Sequence, residues 1–139
     1  MKVLSDTLQL HSEGEGDIID MTSQLSNIVK ESKIKNGTVT IFVSGSTAAV
    51  TTIEYEPGLV HDFPEMLSRI IPSDIEYEHD NTWHDGNGHS HVRSSLIGPS
   101  ITIPIIQGKL TLGTWQQVVL LEMDTRSRNR TVILQIMGE

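Results

Sequence analysis

From residue 100 onward the chain is a succession of short β-patterned runs, at 100–106, 109–112, 116–123 and 131–137, separated by turn-forming segments such as Gln107-Gly108 and 125–129. Strands joined by turns this short pair largely antiparallel, so the second half of the chain predicts an antiparallel sheet. Upstream, residues 2–11 alternate as a strand, and 38–43 and 50–55 are β-branched and short. Two segments carry helical spacing. From Asp17, read as an N-cap, Ile18, Met21, Leu25, Ile28 and Val29 recur at intervals of three and four until Asn36-Gly37. From Pro57, Val60, Phe63, Leu67 and Ile70 do the same, with Pro64 inside and Pro72 beyond. Residues 89–97 read as a further strand. The expectation is an α+β fold: one domain over residues 1–139, largely antiparallel sheet, with two main helices.

Composition narrows the function. With 139 residues, 37% of them hydrophobic, the chain fits one compact core. The absence of cysteine removes disulfides, thiolate ligands and a cysteine nucleophile, so any metal must be held by nitrogen and oxygen. A formal charge of -8 disfavours nucleic acid, which needs a basic face. Met1 to Asp6 turns polar too early for a signal peptide, and no apolar run approaches the roughly 18 residues a bilayer demands. A cytoplasmic protein with no membrane partner is expected.

Chemistry-bearing residues gather between His79 and His91, where four histidines share a polar, glycine-broken stretch with Asp85 and Asn87. Imidazole is the commonest transition-metal ligand and the side chain best suited to proton transfer near neutral pH. If 89–97 is a strand, His89 and His91 project from one face and share an ion, with His79 or His84 arriving as a third ligand. Zinc is the expected metal, with magnesium the alternative suited to carboxylates; solvated loop histidines are the bland reading. Glu54, Glu56, Asp85, Glu122 and Asp124 stand at strand ends or turns as candidate general bases or ligands, or as ordinary surface acids. The Ser44-Gly45-Ser46-Thr47 turn offers hydroxyls and backbone N–H groups to an anion, without the Walker lysine. Arg126, Arg128 and Arg130 alternate, suited to phosphate or to acidic neighbours. Trp83 and Trp115 can stack on a heteroaromatic ring, although Trp115 reads more simply as a core anchor.

Several of these segments match one pattern. Residues 96–100 (Leu-Ile-Gly-Pro-Ser), Ile103-Pro104-Ile105, the run Gly108 to Gln116 with its Leu-Gly-Thr-Trp-Gln ending, Glu122-Met123-Asp124 and Gly138-Glu139 strongly resemble the YjbQ family, also called secondary thiamine-phosphate synthases. The resemblance takes in Ser46-Thr47-Ala48, Glu54, the triplet Tyr77-Glu78-His79, Asn87 and His91. It implies a homotrimer with polar pockets near subunit interfaces, and condensation of a pyrimidinylmethyl diphosphate with a thiazole phosphate, releasing pyrophosphate. On that basis Glu54, Asp85 and Asn87 are expected to be catalytic, Ser46, Thr47, Gln116 and Arg128 to bind the phosphorylated metabolite, and His79, His89 and His91 to hold the metal. One departure stands out: many members carry a histidine where this chain has Gly45. Two other readings fit the residues: a different zinc-dependent enzyme acting on a phosphorylated metabolite, and a non-catalytic metal-binding trimer.

Overall fold

The computed structural model describes residues 1–139. In chain order the elements are β1 (Lys2–Ser12), β2 (Ile18–Asp20), α1 (Thr22–Ser32), β3 (Gly37–Val43), β4 (Ala48–Ile53), α2 (Pro57–Ile70), α3 (Glu78–Trp83), α4 (Gly88–Ile97), β5 (Ser100–Ile106), β6 (Lys109–Leu110), β7 (Gln117–Glu122) and β8 (Arg128–Gly138). The strands form two sheets, ordered β1-β8-β3-β5-β6 and β2-β7-β4, and every pairing is antiparallel. The α+β class expected from patterning is the observed one. No helix is long and apolar enough to cross a membrane.

Strand β7 explains how the layers meet. Its sequence is almost unbroken apolar residue, as a strand buried on both faces requires. Val118 and Leu120 point into a core shared with Leu25 and Val29 of α1, Ile41 of β3 and Leu134 of β8. Val119 and Leu121 point the other way, onto Leu67 of α2, with Phe63 and Ile97 packed alongside. Truncating Leu120 to alanine removes contacts on a wholly buried side chain and is expected to cost about 3 kcal/mol.

Local departures from the sequence expectation have identifiable causes. Ile18 to Asp20 form a strand on β7 rather than the first turn of a helix, and Asp20, not Asp17, tethers the helix start by accepting from the Thr22 N–H and hydroxyl at 3.0 and 2.7 Å. Glu56 caps α2, accepting from the Gly58 and Leu59 N–H groups, with Pro57 in the first turn where its missing N–H costs nothing. There are four helices rather than two. Residues 89–97, expected as a strand, are helix α4, and its buried face is polar: His89, Ser90, Arg93 and Ser94 face inward while Val92 and Leu96 are exposed.

Candidate functional site

Helices α3 and α4 meet at a crossing that only glycine permits. A Cβ on Gly88 would stand 2.4 Å from the Cβ of Tyr77. Asp80 ties the crossing, its Oδ1 accepting the Gly88 N–H at 2.8 Å, and Asp85 closes the intervening loop by accepting the Asn87 N–H at 3.1 Å. The result sets the rings of His79 and His91 with centroids 4.3 Å apart, tilted by 45°.

His79 Nδ1 is the atom that marks this corner. It is buried and has no hydrogen-bond partner. Asp85 Oδ1 lies 3.5 Å away and Asp80 Oδ1 3.6 Å, both beyond a hydrogen bond. Donors that share one divalent ion at about 2.1 Å each stand roughly 3.0–3.6 Å apart, so these separations fit a shared ion better than direct bonding. His79, Asp80 and Asp85 keep their ligand atoms within 4.8 Å of one another, with the His91 ring against the cluster. A second trio, His61, Asp62 and Glu65, meets the same distance test but lies exposed on α2, with Glu65 already paired to Arg69.

Asn87 joins this corner to a buried polar lattice. Its Nδ2 donates to Asp124 Oδ1 at 3.2 Å, and its Oδ1 accepts from the Ser90 hydroxyl and the Thr125 N–H. The other Asp124 oxygen accepts from the Thr47 hydroxyl at 2.9 Å and Arg128 Nε at 3.0 Å. Glu122, wholly buried, pairs with Arg130 through both oxygens and accepts the Ser12 hydroxyl at 2.8 Å. Burial pushes the Asp124 carboxyl up. The donors outweigh it, first the Arg126 N–H, then Thr47, Arg128 and Asn87, holding it down at about 2. Glu122 and Asp124 are therefore not surface acids. Arg128 and Arg130 are their counterions, the acidic-neighbour alternative for the arginine run.

The expected site residues divide between places. Asp85, Asn87, His79 and His91 come together, and Thr47 and Arg128 join them through Asp124. His89 takes a different direction: on a helix, residues two apart do not share a face, so the strand geometry that paired it with His91 does not arise. Its Nε2 contacts Glu15 Oε1, which also lies 3.4 Å from Arg93 Nη1, and Arg93 donates to the Ile71 carbonyl. His89 Nδ1 is also unpartnered, but the ring joins no set of donors close enough to share an ion. Ser46 is exposed beside Thr47. Glu54 is exposed past the end of β4, with no side-chain partner. Gln116 lies at the opposite end of β7, donating to Thr52 at 3.0 Å and lining an open cavity of about 600 Å³ with Thr22, Lys30 and Lys109. Trp115 is no core anchor: it is 72% exposed on the loop that Gln116 closes. Asp80, Glu15 and Arg93 stand outside the residues expected from sequence. Asp80 alone carried a signal, its adjacency to His79.

The family model described as UPF0047 protein YjbQ-like matches residues 6–139. The chain belongs to the YjbQ family. A UPF0047 protein of Methanothermobacter thermautotrophicus is 36% identical over 139 residues, covering all of this chain and 95% of the relative. The UPF0047 protein YugU of Bacillus subtilis is 31% identical, with 95% and 98% covered. A crystal structure of a YbjQ-like protein of unknown function from Sulfolobus solfataricus superposes with a TM-score of 0.92 at 33% identity, covering 99% of each chain. Relatives of this length match the fold end to end, so the α3–α4 corner sits within the shared YjbQ architecture.

Proposed function

We propose that this YjbQ-family chain is a metal-assisted enzyme acting on a phosphorylated metabolite, of the secondary thiamine-phosphate synthase type. The observation that carries the reading is the buried, partnerless His79 Nδ1 flanked at 3.5 and 3.6 Å by two carboxylates. His79, Asp80 and Asp85 would hold the ion, replacing the three-histidine set expected from sequence. One imidazole among them favours zinc, since magnesium takes oxygen ligands almost alone. A divalent ion there supplies positive charge for a departing diphosphate.

The chain's own residues complete the chemistry. In the synthase-type reaction the carbon–oxygen bond to the diphosphate of the pyrimidinylmethyl substrate breaks, a bond forms from that carbon to the thiazole nitrogen, and pyrophosphate leaves. Arg128, 43% exposed at its side chain and anchored on Asp124, offers its remaining donors to phosphate oxygens. Asn87 positions by holding the α3–α4 loop against Asp124. His91, ring to ring with His79, would border the bound ion and its substrate.

Assembly as a homotrimer accompanies this reading. It is supported by apolar side chains on the outer face of the larger sheet, where Val3 is paired in register with Met137 and Phe42 with Ile133, all exposed. Light scattering at micromolar concentration tests it, and a monomer would count against it. The activity is tested by incubating the protein and zinc with the pyrimidine diphosphate and thiazole phosphate and measuring pyrophosphate release. Release that depends on both substrates and disappears in His79→Ala supports the reading. Metal bound without turnover favours the non-catalytic trimer.

A further inference from the structure

The turn between β3 and β4 holds donors that the fold leaves unspent. The backbone N–H groups of Gly45, Ser46 and Thr47 donate to no carbonyl and to no side chain, and the exposed Ser46 hydroxyl is also unpaired. Arg130 lies directly beneath, 7% exposed. Its Nε and Nη2 are committed to Glu122 and Thr47. Its Nη1 has no acceptor and reaches the turn, 2.7 Å from where a Cβ on Gly45 would stand. Gly45 has φ +131, a conformation other residues avoid. Glycine here therefore both allows the turn and leaves the edge of a buried guanidinium uncovered.

Consecutive N–H groups without acceptors form anion-binding concavities, and a guanidinium edge adds a charge-assisted bond. The nearby carboxylates do not compete for these donors. Both Glu122 oxygens are filled by Arg130, Ser12 and the Asp124 N–H, and both Asp124 oxygens by Thr47, Asn87, Arg126 and Arg128. They fix the guanidinium plane instead.

We propose that Gly45, Ser46, Thr47 and Arg130 Nη1 form a seat for a phosphate group of the substrate, a phosphomonoester or the end of a diphosphate. Resting on the reading above, it names that substrate's anionic end. Its donors are distinct from the His79 cluster, to which it connects through Thr47, Asp124 and Asn87. Arg130, one of the alternating arginines suited by sequence to phosphate or to acidic neighbours, would serve both at once.

Titration of ¹⁵N-labelled full-length protein with inorganic pyrophosphate tests the seat directly. Saturable shifts centred on the Gly45, Ser46 and Thr47 amides are expected. Gly45→Val covers the guanidinium edge and should weaken binding at least about tenfold, the equivalent of one charge-assisted bond. Shifts confined to other residues, or equal affinity in a folded Gly45→Val variant, overturn the proposal. Should that variant not fold, the wild-type shift map alone decides. His79→Ala separates the two claims. Shifts retained there uphold the seat even where zinc binding fails, and wild-type zinc binding without these shifts leaves the metal reading standing and removes the seat.

Discussion

Two buried polar regions lie side by side in this protein and differ in one respect. In the lattice around Glu122, Asp124 and Arg130, both carboxylates have all their oxygens paired. At the α3–α4 corner a buried nitrogen of His79 faces two carboxylates and bonds to neither. A satisfied network rigidifies a core, whereas an unsatisfied buried group costs stability, and with two carboxylates at ion-sharing distance it marks a place a cation can compensate. The difference separates a paired carboxylate lattice from a candidate metal site.

The largest expected effect falls on the lattice. Arg130→Met leaves Glu122 charged, buried and uncompensated, so urea unfolding should show a loss of about 3–5 kcal/mol. His79→Ala, by contrast, should change stability by less than about 1 kcal/mol in metal-free protein, because no hydrogen bond is lost. Similar losses in both variants would erase the distinction. Next in size is the metal itself. Outer-shell changes cost about 10–100-fold in metal affinity, so removing the direct donor in His79→Ala should cost at least about 100-fold, measured by competition with a chromophoric chelator. Asp85→Asn, which keeps the loop's shape, should cost less.

The pH response sharpens the same contrast. Asp124 has its carboxyl lowered from 3.8 to about 2, so its contribution to stability is fully present above 3.8 and is lost as pH falls toward 2. Unfolding free energy measured between pH 4 and pH 2 should fall more steeply in the wild type than in Asp124→Asn. The smallest effect is expected at Glu54, exposed and unpartnered. Glu54→Gln should shift stability by less than about 0.5 kcal/mol and leave zinc affinity unchanged.

Legibility in the sequence followed the kind of face each element buries. β7 and the two longer helices bury apolar residues at regular spacing, and their patterns were readable. Helix α4 inverts the rule. It turns His89, Ser90, Arg93 and Ser94 inward and Val92 and Leu96 outward, so hydrophobic periodicity pointed to a strand. That inversion redirected His89 to Glu15 and gave its expected place beside His79 to Asp80 and Asp85. The clustering of His79, Asp85, Asn87 and His91 was visible as local density. The burial of Glu122 and Asp124 was not, because it depends on Ser12 and Arg130 arriving from distant strands. Gly45 read as a loss of a family histidine, whereas the fold uses the space to bring Arg130 to the surface of the turn.

Elemental mass spectrometry of the untagged protein and of its His79→Ala variant bears most directly on the separation of metal site from paired lattice. About one zinc per chain, absent from a variant that remains folded, is the expected result. No divalent metal in the wild type after zinc loading and dialysis, or full occupancy in His79→Ala, would contradict a metal site at the α3–α4 corner.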